Sequence, residues 1–146
     1  MHTTTSSRAV RRWITILRVS IGIIYVWFGI LKFFPGVSPA EDLAKDTIQL
    51  LTFNFIQPNL ALLLLALWET GVGIMMIGGI YTKLALRIVL VHMFCTFTPL
   101  LLLSDLSFTS APIALTLIGQ YIIKNIVIVS ALFLINASLK QNLLHR

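Results

Sequence analysis

Residues 60–80 read LALLLLALWETGVGIMMIGGI, an unbroken apolar run with a single carboxylate, Glu69, near its centre. A helix rises ~1.5 Å per residue, so roughly 20 apolar residues cross the ~30 Å hydrocarbon core of a bilayer. The run therefore predicts a transmembrane helix. A charged group at its midpoint costs about 2.5 kcal/mol or more, so Glu69 requires a partner, a proton or a water-filled cavity.

The composition of the whole chain is that of an integral membrane protein. Of its 146 residues 58% are hydrophobic and only 11% are charged, whereas a soluble domain of this length exposes far more charge. The net charge of +6 does not indicate nucleic-acid binding, because the basic residues flank apolar spans and form no patch with interleaved aromatics. The single cysteine, Cys95, cannot form an intrachain disulfide. A redox role therefore requires a bound cofactor, a partner protein or a substrate.

Four apolar segments predict an all-α, four-helix transmembrane bundle that forms one domain over residues 1–146. The spans are expected at about 13–34, 60–80, 84–103 and 112–135. We interpret the first span as a retained helix rather than a signal peptide, because it carries Arg18 and Lys32 and has no clear cleavage site. Arg18, Tyr25 and Lys32 follow each other at seven-residue steps and share one helix face. Either the two cations snorkel to opposite interfaces, or the three residues form a polar seam inside the bundle.

The connection after the first span contains a second kind of helix. Residues 39–52 predict a short amphipathic extracytoplasmic helix, opened by a capping box of Ser38 and Glu41. This helix lies on the outer membrane surface, or it folds over the mouth of the bundle as a lid. Further along, Pro99 is expected to kink the third span, and residues 104–110 are expected to form a polar loop.

The distribution of basic residues predicts the orientation of the spans. Basic residues concentrate in the two tails and in the loop between the second and third spans, at Arg8, Arg11, Arg12, Lys83, Arg87, Lys140 and Arg146. The positive-inside rule therefore places both termini in the cytoplasm. We expect a multi-pass protein of the cell's inner (plasma) membrane.

This topology places Glu69 and Lys124 at a similar depth, roughly 16–18 Å below the outer edge at ~1.5 Å per residue. We expect these two residues to form a buried ion pair. Lys32 approaches from a shallower depth and competes for the same carboxylate. Hydrogen-bonding side chains near Lys124 are expected to line an interior wall of the fourth span: Gln120, Tyr121 and Asn125.

The charges of such a pocket predict which ligands it binds. If Lys32 and Lys124 both turn inward, the outer half of the bundle carries a positive excess, which suits a quinone head group, a sulfur oxyanion or a small organic anion. In that hypothesis Glu69 accepts or relays a proton, the two lysines bind the ligand, and the wall residues orient it. The alternative is a salt bridge that only holds the helices in register. His92 and Cys95 in the third span offer too few ligands for a metal or haem site, so no protein-ligated cofactor or metal is predicted.

Three stretches resemble the DoxX family of small four-span membrane proteins. They are YVWFGILKFFPGVSP at residues 25–39, WETGVGIMMIGG at 68–79 and GQYIIKNIVIVSA at 119–131. The resemblance implies a bacterial or archaeal inner-membrane protein. The family takes its name from a terminal-oxidase-associated subunit linked to thiosulfate:quinone oxidoreduction, and other members are associated with membrane redox-stress complexes. No catalytic residues are carried over from the family.

These observations lead to one main functional hypothesis and two alternatives. The main one is a quinone- or electron-donor-associated subunit of a membrane oxidoreductase or redox-stress system, with a redox partner protein and a quinone as the candidate cofactor. The second is a small anion or proton transporter or channel, which requires a homo-oligomer because four spans leave little room for a pathway. The third is a non-catalytic membrane scaffold for a soluble partner.

Overall fold

The structure, a computed structural model, describes residues 3–110 and 112–144, and the side chains of residues 8–110 and 112–141. Its elements in chain order are α1 (Thr3–Leu31), α2 (Glu41–Leu51), α3 (Pro58–Gly78), α4 (Thr82–Phe97), α5 (Pro99–Leu102), α6 (Ser104–Ser107), β1 (Phe108–Ser110), β2 (Ala114–Leu115) and α7 (Leu117–Leu144).

Four of the described helical segments are long and apolar enough to cross a membrane: Arg8–Leu31, Pro58–Gly78, Thr82–Leu102 and Leu117–Gln141. They pack in the ring order α1, α3, α4, α7. The predicted all-α, four-helix architecture is confirmed. The last helix begins about five residues later than expected, at Leu117, because a short antiparallel pairing of β1 with β2 precedes it.

Glycines bring α1 and α3 into close contact. A Cβ atom added to Gly22 would lie 2.8 Å from the carbonyl oxygen of Gly73, and one added to Gly29 would lie 2.7 Å from the backbone nitrogen of Thr70. Small residues permit such approach of two helix backbones in a membrane, where dispersion contacts rather than hydrophobic burial drive association. The pairing sets the relative height of the two helices.

The core lies where α1, α3, α4 and α7 meet. It is built from ten buried residues, Ile21, Tyr25, Val72, Met76, Ala85, Leu86, Val89, Met93, Leu132 and Ile135. Most large apolar side chains outside this core are exposed on the surface of the bundle. That arrangement is expected when lipid, not water, covers the outside.

Helix α2 packs against α3 and α5, a contact that both the surface alternative and the lid alternative allow. The predicted capping box is wrong: no side chain caps α2, and the Ser38 hydroxyl has no hydrogen-bond partner. Instead, the Glu41 carboxylate accepts hydrogen bonds from the backbone N–H of Gly36 at 2.7 Å and from Lys45 Nζ at 2.6 Å. These bonds lower the pKa of Glu41 below its usual range, the contact with Lys45 contributing most. Glu41 thereby ties the turn after α1 to the start of α2.

The predicted break at Pro99 is confirmed. Proline has no N–H to donate to the preceding turn, and α4 ends at Phe97 before α5 begins at Pro99. The Cys95 carbonyl accepts bonds from both the backbone N–H and the hydroxyl of Thr98 instead. The segment after this break, predicted as a polar loop, forms α6 and β1, and the Ser107 carbonyl lies so close to Gly119 that no Cβ fits there.

The bundle has two ends of opposite charge. The basic end holds the start of α1, the α3–α4 turn and the end of α7, with Arg8, Arg12, Lys83 and Lys140. The acidic end holds α2, α5 and α6, with Glu41, Asp42, Asp46 and Asp105 against the single lysine Lys45. The predicted orientation, with the basic end in the cytoplasm, stays a prediction.

Candidate functional site

Glu69 forms its ion pair with Lys32. The Nζ atom of Lys32 donates to Glu69 Oε2 at 2.6 Å, and the two side chains are only 6% and 8% exposed. Lys32 Nζ also donates to the carbonyl of Phe28 at 3.3 Å, a carbonyl in the last turn of α1. A charge-assisted bond of this length between two buried partners is among the stronger contacts a protein makes.

Two further groups extend this pair into a chain. His92 Nε2, on α4, lies 3.5 Å from the second carboxylate oxygen of Glu69, and a 2.9 Å hydrogen bond joins His92 Nδ1 to the hydroxyl of Tyr25. The two rings also meet edge to face, with centroids 5.4 Å apart. In the neutral imidazole tautomer with its proton on Nε2, Nδ1 accepts a hydrogen bond from the Tyr25 hydroxyl, and the Nε2 proton faces the Glu69 carboxylate. We call Tyr25, Lys32, Glu69 and His92 the buried polar cluster.

The height of Lys32 differs from the expectation of a shallower residue near the end of a span. Glu69 lies eleven residues after the start of α3, about 16 Å along the helix axis. Because Lys32 bonds Glu69 directly and Gly29 packs on Thr70, α1 ends at the middle of α3. The cluster is therefore near mid-membrane, and the seam interpretation holds for Tyr25 and Lys32, while snorkelling of Lys32 to the outer interface is wrong.

The predicted Glu69–Lys124 pair is wrong. Lys124 is exposed on the outside of α7, where its Nζ atom lies 5.4 Å from the centre of the Tyr121 ring, one helical turn earlier. Since α7 begins at Leu117, Lys124 is only seven residues below the helix start. Side chains in a helix tilt toward its N-terminus, so Lys124 reaches toward the acidic end rather than the centre of the bundle.

The predicted interior wall on α7 is also wrong, because α7 does not turn Gln120 and Tyr121 toward the bundle interior. Gln120 and Tyr121 are exposed and Asn125 is half-buried, whereas Ile122 on the same turns is buried. Gln120 and Tyr121 therefore lie on the outer face of α7, whereas Asn125 lies on the partly buried side, three residues from Ile122. A role for them in ligand binding has no support in this arrangement.

Arg18, the first residue of the seven-residue series, lies near the middle of α1 and contacts the end of α3. Its guanidinium donates hydrogen bonds to the carbonyls of Met76 and Ile77 in the last turn of α3. Cations stabilise the negative end of a helix dipole and its unpaired carbonyls. Arg18 thus has hydrogen-bond partners on α3, and its snorkelling to the interface stays a prediction.

Sequence reasoning missed His92 and Tyr25 as partners of Glu69. A signal for His92 was present: Glu69 precedes Gly79 by ten residues, and His92 follows Thr82 by ten. Two antiparallel helices joined by a tight turn place such residues at equal height. For Tyr25 the signal was its seven-residue spacing from Lys32, which puts both on one face of α1.

Comparison with known proteins bears on this site. No curated protein and no solved structure matches the chain. The sequence model of one family, DoxX, matches residues 13–104. The chain belongs to the DoxX family.

The DoxX match includes the whole buried polar cluster, from Tyr25 to His92, and ends before α7. All the sequence-predicted site residues that the structure places on the outside of the bundle lie beyond it. Within the described residues, no group of three or more His, Cys, Asp or Glu side chains is arranged to hold a metal ion.

Proposed function

We propose that this DoxX protein is an inner-membrane subunit of an oxidoreductase system, and that its buried polar cluster exchanges protons with a quinone head group. The observation that supports this most is the order of the cluster: ammonium, carboxylate, imidazole and phenol follow one another at 2.6, 3.5 and 2.9 Å. Ionisable side chains inside a membrane are expensive and mark functional sites more often than structural ones.

The cluster has the chemistry needed for proton transfer. Imidazole can accept a proton at one ring nitrogen and release one from the other, and His92 has a proton-exchanging neighbour at each. Reduction of a quinone adds two electrons and two protons, one proton to each carbonyl oxygen. In this proposal a partner protein supplies the two electrons, and two protons taken up from water reach the quinone by relay through Glu69 and His92.

The charge of the cluster favours a neutral ligand over an anion. With Lys124 on the outside, the bundle interior at this level holds one lysine and one carboxylate, so the positive excess expected when both lysines face inward is absent from the described residues. A carbonyl-bearing head group needs hydrogen bonds but no net charge. His92 is the member of the Lys32–Glu69–His92 set with the most exposed side chain, at 13%, and is the proposed point of contact.

A pair of matched lysine variants tests the proposal. Decylubiquinone is titrated into the purified protein in lipid nanodiscs, and its affinity is measured by calorimetry for wild type, Lys32→Gln and Lys124→Gln. Lys32→Gln removes the ammonium partner of Glu69, which lies beside His92, the proposed point of contact. Binding should therefore weaken, by about tenfold if one hydrogen bond to a charged group is lost. Lys124→Gln removes the same charge from the outside of the bundle and should leave binding unchanged.

Tyr25→Phe supplies a variant that preserves volume and fold. It removes only the hydroxyl oxygen at the far end of the buried polar cluster. Quinone should therefore still bind, while the donor-dependent reduction of quinone in membranes should slow. Absence of decylubiquinone binding to wild type, or equal losses in the two lysine variants, would contradict the proposal.

Proton translocation is a second candidate, favoured by the same ordered chain through α1, α3 and α4. Proton flux into liposomes without any quinone, abolished by Glu69→Gln and retained by Lys124→Gln, would support this candidate over the first. The scaffold hypothesis stays a prediction.

A further inference from the structure

A groove at the basic end carries positive charge, and no carboxylate of the described residues neutralises it. All five acidic residues of the chain lie elsewhere: Glu41, Asp42, Asp46 and Asp105 at the acidic end, and Glu69 in the buried polar cluster. Among the described residues, the ion pairs of the bundle involve Lys32, Lys45 and His92, and none involves Lys83 or Arg87.

The groove lies between the first turns of α4 and the later part of α7. It has a volume of about 410 Å³ and is lined by Tyr81, Thr82, Lys83, Leu84, Arg87 and Leu139. Lys83 and Arg87 are one helical turn apart and both exposed, and like charges at this spacing repel each other. Leu84 and Leu139 line the other side of the groove, so the groove has a cationic side and an apolar side.

The start of α4 adds to the positive electrostatic potential of the groove. Its first turn contains no acidic residue, and no side chain caps it, so the positive end of the helix dipole adds to the charges of Lys83 and Arg87. Tyr81, at the N-cap, has a φ of 47°, a left-handed conformation that costs free energy for a residue with a side chain. An anion seated in the groove relieves the repulsion between the two cations.

We propose that this Lys83–Arg87 groove binds the phosphate of an anionic phospholipid, with the acyl chains along Leu84 and Leu139. The position of the groove decides for a lipid over a soluble anion. It lies at the end of two spans, where head groups are found, and basic pockets between transmembrane helices hold anionic head groups. This inference is independent of the buried polar cluster, which lies at mid-height of the bundle.

Native mass spectrometry with added phosphatidylglycerol or phosphatidylcholine tests the proposal. Wild type should retain phosphatidylglycerol in preference to phosphatidylcholine. The double variant Lys83→Gln/Arg87→Gln should bind phosphatidylglycerol about tenfold or more weakly, because each basic residue at an anionic surface contributes about fivefold.

Arg8→Gln/Arg12→Gln is a matched control. These arginines are also exposed, also four residues apart, and also at the basic end, but they do not line the groove; their loss should change phosphatidylglycerol affinity by no more than about twofold. All variants change exposed side chains, and circular dichroism is used to verify that each variant is folded.

Three results would overturn the proposal. One is equal loss in the two double variants, which would indicate a diffuse effect of net charge. Another is equal retention of phosphatidylcholine and phosphatidylglycerol by wild type. The third is displacement of bound phosphatidylglycerol by millimolar inorganic phosphate, which would assign the groove to a soluble anion.

Discussion

Replacing Lys32 by methionine should destabilise the bundle far more than the same change at Lys124. Both substitutions remove one ammonium group and keep a flexible apolar stem of similar length. Lys32 is 2.6 Å from its carboxylate in a buried contact, whereas Lys124 is exposed on α7. The two positions therefore separate the effect of a buried ion pair from the effect of charge alone.

The expected magnitude follows from the environment of Glu69. Breaking a buried pair by removing one partner costs about 3–5 kcal/mol, since the other charge stays buried without compensation. Lys32→Met should lower the free energy of unfolding by about that amount, and Lys124→Met by about 0.5 kcal/mol or less. In the double variant Lys32→Met/Glu69→Met no buried charge lacks a partner, so most of the lost free energy of unfolding should be recovered.

The free energy of unfolding is measured in mixed micelles by titration with sodium dodecyl sulfate and followed by circular dichroism. The double-mutant cycle should give a coupling between Lys32 and Glu69 of about 2 kcal/mol or more. Additive effects of Lys32→Met and Glu69→Met, or equal losses at Lys32 and Lys124, would refute the placement of this ion pair in the bundle interior.

Four other substitutions test three separate features of the fold. Gly29→Ala should destabilise by about 1–3 kcal/mol because its Cβ meets the backbone of Thr70, whereas Gly71→Ala, where the Cβ meets nothing, should stabilise by about 0.5–1 kcal/mol. Glu41→Gln should lower the melting temperature at neutral pH. The folded-state pKa of Glu41 is below its usual value, so the carboxylate stabilises the protein fully above the usual carboxyl pKa. The difference in melting temperature between variant and wild type should therefore vanish as the pH falls through the folded-state pKa. Arg18→Gln should destabilise the end of α3 by about 1 kcal/mol or more, through loss of the bonds to the Met76 and Ile77 carbonyls, and hydrogen exchange at residues 76–80 should rise.

The number of helices and their breaks could be predicted because they depend on local chemistry. The apolar run at 60–80 is long enough to span a bilayer, Gly79 takes the left-handed conformation that ends α3, and Pro99 interrupts the third span. Each of these features needs only the residues themselves and their immediate neighbours. The ends of helices were less predictable: Leu117 rather than Pro112 begins α7, since the β1–β2 pairing occupies the residues between.

The rotation of α7 and the height of α1 could not be read from the residues. In a helix of a soluble protein the apolar stripe marks the buried face. In a membrane both the lipid and the protein core accept apolar side chains, so the apolar stripe no longer identifies the buried face. Tyr121 and Lys124 were therefore assigned to the wrong side of α7. The height of α1 depends on how Gly22 and Gly29 seat against α3, and that contact brings Lys32, rather than Lys124, to Glu69.

The amino-acid sequence alone is enough to predict four membrane-spanning helices, the break of the third span at Pro99, and a carboxylate in the second span that requires a partner. The packing of the helices shows that this partner is Lys32 and that His92 and Tyr25 extend the pair. The physical reason is one of range. Span length, turn conformation and the cost of a buried charge act locally, whereas the choice among several lysines depends on helix rotation and stagger, which the packing of backbones against each other sets.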